Sequence, residues 1–303
     1  MNQIESLYNE VRDNTTKYYN YLNKFIFDPP VSYTIENGTV VPYKFVNQHD
    51  THDFYREYLY NVFFSDLKTI LDNTGISREL LGTGSGGWVY KITMTDKDRK
   101  SFSDYFHKHM IRQIPNDKKC ILPQEFAMKI HIITKYKVQT IGKNNKTEEK
   151  QSIKENAFSQ FLASSPLSKK YVPKYYFGGT YKWNKKLNDT MYTFIFRITF
   201  SEVVRGKPLL RLILDRTPLP RSVIPTLEKA CMSLWRQNIL HGDFHDGNII
   251  VDVNGTVLKS LKIIDFGEAK KYSDDENASN DKWNVKKLRN HIEKIEKLVI
   301  TNT

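Results

Sequence analysis

The chain carries two cysteines in 303 residues, Cys120 and Cys231. That excludes a disulfide-stapled scaffold and a four-thiolate zinc site, and it suits a reducing compartment. No run approaches eighteen consecutive apolar residues, so no membrane span is expected. The opening, MNQIESLYNEVRDN, mixes acids and amides where a secretory leader has a basic patch followed by an apolar block. An intracellular, cytoplasmic location is therefore expected. Internal repeats and long low-complexity tracts are also lacking. Acid is in short supply: 34 Asp+Glu face 46 Lys+Arg, a formal charge of +12. Such a field favours nucleotides, nucleic acid, acidic proteins or anionic membrane surfaces as partners. The basic residues are nevertheless spread out. Their clearest surplus, across 135–154, reads as a solvated lysine-rich loop rather than a nucleic-acid patch. What is present suffices for a core: 39% of residues are hydrophobic and 13% aromatic, enough for one large domain or two modest ones.

Residues 4–25 and 52–73 read as helices, the second with Leu59, Phe63, Leu67 and Ile70 on one face. Between them Asp28-Pro29-Pro30 and the stretch to His49 read as loop or short strand, since consecutive prolines neither continue a helix nor donate to a ladder. From about Gly75 the pattern changes to β-branched and aromatic runs, with strands expected over 80–94, 126–134 and 192–200. Helices are expected over 152–163 and 222–237, the latter with Leu227, Ala230, Cys231 and Leu234 inward. A last helix is expected over 281–298, with Leu288, Ile292 and Ile295 inward. Strands, one helix, more strands and then mostly helix describe an α+β protein with unequal parts.

Three segments carry chemistry. Leu81-Gly82-Thr83-Gly84-Ser85-Gly86-Gly87-Trp88-Val89 is a glycine-rich strand-turn-strand whose backbone amides can close over phosphates. Because a strand rather than a helix resumes at Val89, it is not a dinucleotide-binding turn. The missing Gly-Lys-Ser/Thr ending excludes a Walker A loop. Phe126-Ala127-Met128-Lys129-Ile130 places a lysine in an apolar strand, where a half-buried ammonium needs a counter-charge. Glu155 is the foremost candidate, with Glu148 and Glu149 as alternatives. Finally, His241-Gly242-Asp243-Phe244-His245-Asp246-Gly247-Asn248 precedes an apolar strand, and a second apolar strand ends in Asp265-Phe266-Gly267. Two acids and an amide around two strands supply a proton acceptor and oxygen ligands for a hard divalent cation.

In this order, over about residues 80–270, the three segments resemble the protein-kinase-like superfamily. The resemblance implies a bilobal α+β fold: a helical N-terminal extension (1–75), a small β-rich N-lobe (76–204, with a long insert at 95–122) and a shortened helical C-lobe (205–303). It implies ATP and Mg²⁺ or Mn²⁺ as cofactors. Gly82, Gly84, Gly87 and Val89 would then cover the nucleotide, and Lys129, held by Glu155, would grip the α- and β-phosphates. Asp243 would take the acceptor proton, Asn248 and Asp265 would hold the metal, and His245 would reach the γ-phosphate. The backbone of Glu202 and Val204, in a hinge-like stretch, would meet adenine.

The chain also departs from that family. Gly86 replaces the usual aromatic at the loop tip. Gly242 stands where regulated protein kinases carry an arginine that reads a loop phosphate, so regulation by that route is not expected. His245 stands where serine/threonine kinases carry lysine, and HGDxHxxN resembles aminoglycoside and choline phosphotransferases and atypical kinases. No Ala-Pro-Glu motif follows Asp265, and thirty-eight residues remain after it, too few for the usual peptide-binding helices. Asp281 and Trp283 resemble the Asp-x-Trp start of a kinase helix. The insert, with Tyr105, Phe106, His107, Lys108 and Arg112, suggests a lid or docking surface, and the N-terminal helices a brace. These features resemble bacterial or large-virus kinases, the latter placing the protein in host cytoplasm. The expected activity is atypical serine/threonine protein kinase, acting on a protein and preferentially an acidic one. A small-molecule kinase is the alternative. A pseudokinase scaffold would be expected to have lost a metal or base residue, and none is lost here.

Overall fold

In the computed structural model the described residues are 33–36, 39–42, 60–71, 75–84, 87–112, 120–133, 145–187, 190–271 and 277–299. The helix expected over 4–25, residues 52–59 of the next expected helix with Leu59, the loop tip Ser85-Gly86, residues 135–144 of the lysine-rich stretch and residues 272–276 of the acidic loop lie outside them.

Tyr33–Glu36 (β1) and Thr39–Pro42 (β2) form a hairpin of their own. Residues 60–70 form a helix, α1. The main sheet has six strands: Ser77–Gly84 (β3), Gly87–Thr93 (β4), Met110–Arg112 (β5), Glu125–Ile133 (β6), Tyr175–Leu187 (β7) and Thr190–Ser201 (β8). Their order is β3-β4-β6-β8-β7-β5, and every pairing is antiparallel. A second helix, α2 (Asp96–His109), falls between β4 and β5, and a third, α3 (Asn145–Ser164), precedes β7.

Strand alternation sorts the sheet into two unlike faces. Trp88, Tyr90 and Ile92 of β4, Phe126, Met128 and Ile130 of β6, and Phe194, Phe196, Ile198 and Phe200 of β8 are all buried. Against them pack Tyr60, Phe63, Phe64 and Leu67 of α1 and Phe102 and Phe106 of α2. Phe63 meets Phe196 with ring centroids 4.7 Å apart, and Phe106 meets Phe200 at 5.1 Å. Each such ring contributes about 2–3 kcal/mol by leaving water. The intervening positions, Val89, Lys129 and Thr199, are cross-strand partners on the opposite face. An aromatic face thus carries the stability and leaves a more polar face for chemistry.

One expectation changes here. Ile70 is 53% exposed, because the buried stripe of α1 continues from Leu67 to Leu71, four residues on, which packs against the core. Within the insert expected at 95–122, α2 is packed onto the sheet: Phe102 and Phe106, one helical turn apart, are fully buried, and Tyr105 bonds through its hydroxyl to Tyr181.

The remainder of the chain gives Lys207–Pro208 (β9), Leu209–Leu214 (α4), Val223–Trp235 (α5), Ile239–Leu240 (β10), a 3-10 turn at Asp246–Asn248, Ile249–Asn254 (β11), Val257–Ile263 (β12), Lys270–Lys271 (β13) and Asn277–Glu296 (α6). Strands β12-β11-β9 form one sheet, and β10 pairs with β13. This part is richer in strand than the mostly helical pattern expected from sequence. A second apolar cluster unites Leu227, Ala230, Cys231 and Leu234 of α5 with Ile249, Val251, Leu261 and Ile263 and with Leu288 and Ile295 of α6. It also includes Leu162 and Val172, so core membership crosses the boundary expected at 204/205. The protein is a mixed α+β structure with mostly antiparallel sheet. Among the described residues no helix is long and apolar enough to cross a membrane.

Candidate functional site

Lys129 sits at the centre of β6, paired with Val89 on one side and Thr199 on the other. Its Nζ donates to Glu155 Oε1 of α3 at 2.6 Å and to Asp265 Oδ1 at 2.9 Å. Lys129 and Glu155 side chains are 18% and 19% exposed, Asp265 39%. Desolvation alone would lower the lysine pKa, but the two carboxylates outweigh it and hold the pKa well above its ordinary value. The ammonium is therefore a permanent charge at physiological pH. The helix bearing Glu155 is fixed by the next residue: Asn156 is buried, accepts a hydrogen bond from Thr199 Oγ1 at 2.8 Å, and lies against Gly178, where a Cβ would come within 2.7 Å of its Oδ1.

Glycine loop residues sit on the hairpin above this lysine. Gly82 pairs with Val89, with a bulge at Leu81, and a Cβ at Gly82 would meet nothing within 4 Å. Gly84 ends β3 and pairs with Gly87. Gly87 has a reason within the fold: its φ is +119°, and a Cβ there would lie 2.6 Å from Ile130 O. Glu202 and Val204 follow β8 directly. The Glu202 amide donates to Lys174 O at 2.8 Å, and its carboxylate reaches Lys262 Nζ at 3.4 Å.

The segment 241–248 links β10 to β11. Asp243 and His245 are about half exposed, at 54% and 52% of their side chains, with His245 Nε2 3.4 Å from Asp243 Oδ2. The Gly247 amide donates to His245 Nδ1 at 3.0 Å, and His245 Nε2 lies 3.1 Å from Asn248 Nδ2 as well as beside the Asp243 carboxylate. Asn248 is buried, and its Nδ2 donates to Asp243 O at 2.9 Å, which leaves its Oδ1 as an oxygen ligand. Asn248 O accepts from Ile264 N at 3.0 Å, tying this segment to the residue before Asp265.

Asp265 follows β12 in a left-handed conformation, φ +63°. Non-glycine residues adopt this region at a cost and concentrate in it at functional sites. Burial alone would raise its carboxyl pKa, but Lys129 and the Gly267 amide outweigh that and hold it below the ordinary carboxylate range. Phe266 beside it is buried, its ring 4.9 Å from that of His241.

His241, which sequence reasoning quoted but gave no role, is the strut between the two halves of the site. Buried at 5% exposure, it donates from Nε2 to Ile264 O at 2.8 Å and accepts the Asp243 amide at Nδ1 at 3.3 Å. A second ring proton would face that amide. Burial accordingly lowers the His241 pKa. The unfolded chain, with its histidine near about 6.5, takes up the proton first, so stability present above that pH is lost as pH falls through about 6.5 toward the lowered folded value. Asp265 and Asp246, both held below the ordinary range, keep their contribution until more acid conditions. Thermal midpoints should therefore fall in two stages on acidification, and His241→Asn should remove the first. A first stage of the same size in that variant would assign it to another group.

The structure thus brings Lys129, Glu155 and Asp265 into one contact group and Asp243, His245 and Asn248 into another, with His241 and Ile264 joining them. Among the described residues no three His, Cys, Asp or Glu side chains gather as a metal cage. Mg²⁺ commonly takes only one or two protein oxygens and completes its shell with water and phosphate. Asp265 and Asn248, through its Oδ1, are the residues that could hold such an ion. No family model matches the chain, and no curated protein matches it.

Proposed function

We propose that the chain is an ATP- and Mg²⁺-dependent phosphotransferase of bilobal kinase type, acting on a protein hydroxyl. The observation that carries this reading is the Lys129 ammonium held between Glu155 and Asp265 across 26 and 136 residues of sequence. A lysine pinned by two carboxylates at the inner face of a glycine-topped hairpin is poised to pass from Asp265 to a phosphate oxygen once nucleotide enters. Asp265 and Asn248 would hold Mg²⁺, which supplies neutralisation of phosphate charge. Gly82 has open space on its Cα, where backbone can close over phosphate. The carbonyl of Glu202 and the backbone of Val204 are the groups assigned to adenine.

In the transfer, the acceptor oxygen bonds to the γ-phosphorus as the bond to the bridging oxygen breaks and ADP leaves. The acceptor proton passes to the exposed carboxylate of Asp243, which has the His245 ring beside it, Nε2 at 3.4 Å. Positioning and electrostatics supply the rate. The HGDFHDGN segment also favours a second reading, a small-molecule kinase, because Gly242 and His245 replace the residues protein kinases carry there.

The deciding experiment offers labelled ATP with an acidic protein, a basic protein and amino alcohols. Label on the acidic protein is expected, declining as salt is raised. Label on an amino alcohol alone would replace the protein-kinase reading with the second. Asp265→Asn should weaken Mg-ATP binding by about tenfold or more, since it removes both a metal ligand and a charge partner of Lys129. Unchanged nucleotide affinity in that variant would dismiss the metal role.

A further inference from the structure

Between His245 and Asn248 lies an acid with no part in the chemistry above. Asp246 faces away from the site: its side chain is 7% exposed, against 54% for Asp243. A carboxylate removed from water needs partners, and both of its partners come from α6. His291 Nδ1 bonds to one carboxylate oxygen, and Lys294 Nζ donates to the other at 2.5 Å. One helical turn earlier, Lys287 Nζ donates to Phe244 O at 3.3 Å. The Phe244 ring stands edge-on to His291, centroids 5.0 Å apart at 87°. Lys287, His291 and Lys294 are spaced by four and three residues and so form one stripe. The neighbouring stripe, Leu288 and Ile295, is buried in the second apolar cluster.

Apolar packing alone would hold α6 in place as firmly, since a buried ion pair is a poor source of net stability. What the charged stripe adds is direction. It grips the chain at 244 and at 246, on both sides of His245 and just after Asp243, and so sets the backbone that aims both side chains.

We propose that the Lys287, His291 and Lys294 stripe of α6 is a latch that positions the segment carrying Asp243, His245 and Asn248, making phosphate transfer conditional on the seating of α6. The consequence for rate rests on the phosphotransferase reading; the latch itself does not. Lys294 is the residue to change, because its side chain is 48% exposed and the fold tolerates its loss better than that of Asp246. In the full-length chain, Lys294→Met should speed amide exchange in peptides covering 243–248 by about tenfold, with thermal midpoint lowered by only a few degrees. It should lower kcat ten- to roughly hundredfold with KM for ATP within about twofold, the signature of misplaced groups rather than lost nucleotide contacts. Lys294→Arg, which can still reach Asp246, should restore both. Exchange at 243–248 unchanged in Lys294→Met would overturn the latch, as would exchange rising equally across the whole chain. If the wild-type chain transfers no phosphate, the phosphotransferase reading fails, while the exchange measurement still decides the latch.

Discussion

Asp243→Asn is expected to cut phosphate transfer by about 10²–10⁴-fold, the usual contribution of a positioned proton acceptor, while leaving nucleotide affinity and stability nearly unchanged. The separation follows from what holds the segment in place. Asn248 reaches the backbone oxygen of Asp243 at 2.9 Å but its carboxylate only at 3.4 Å, so the backbone bond survives the substitution. The carboxylate is 54% exposed, so removing its charge strands no buried partner. The nucleotide grip assigned to Lys129, Glu155 and Asp265 is untouched. Single-turnover rates, nucleotide titration and a thermal melt on one preparation check all three parts. A variant retaining near-normal turnover would remove Asp243 from the proton path. One that loses binding together with turnover would mean that the side chain shapes the nucleotide pocket instead.

Much of the local architecture was legible in the sequence because it rests on short-range pattern. The hairpin of β3 and β4, the strand bearing Lys129 and the inward face of α5 follow from periods of two and 3.6 residues, and the Lys129–Glu155 contact follows from the need of a half-buried ammonium for a carboxylate. Pattern reading failed where long-range packing decides. The alternation of Tyr181 and Trp183, both buried, with Lys182 and Asn184 marks β7, yet Gly178, Gly179 and nearby lysines weaken the pattern, and no strand is expected there from sequence. Segment 96–109 carries six lysines, arginines or histidines and reads as surface. Phe102 and Phe106 bury it anyway, because the aromatic face of the sheet extends beyond the reach of α1.

The roles of His241, Asp246, His291 and Lys294 were not legible at all. Asp246 and His291 lie 45 residues apart, and nothing in the local composition of either segment announces the other. Asp246 in particular reads as one more exposed acid in a polar turn. Only its burial, together with a histidine and a lysine from one helix face, separates it from its neighbour Asp243.

Gly242→Ala should be the most damaging substitution of a single methyl group in the site, with a stability loss of about 2–5 kcal/mol. Two costs combine. At φ +82° the residue is in the left-handed region, which costs an L-residue roughly 1–2 kcal/mol. The added Cβ would also lie 2.1 Å from Glu268 O and 2.6 Å from Glu268 C, and relieving such overpacking costs about 1–3 kcal/mol. The obstacle is backbone and cannot rotate aside. That backbone follows Asp265 by three residues and precedes Ala269, which is fully buried, so any shift also moves the carboxylate paired with Lys129. Two glycines separate the costs. Gly255→Ala, φ +57° with nothing within 4 Å, should show only the conformational cost of about 1–2 kcal/mol. Gly82→Ala, with open space and an ordinary backbone, should be close to neutral. Urea denaturation of the three variants orders them Gly242, Gly255, Gly82. If Gly242→Ala costs no more than Gly255→Ala, the crowding at Glu268 does not constrain the site. If the order holds, the glycine after His241 is dictated by the approach of two backbone segments, because a side chain of any kind at that position would drive Asp265 out of register with Lys129.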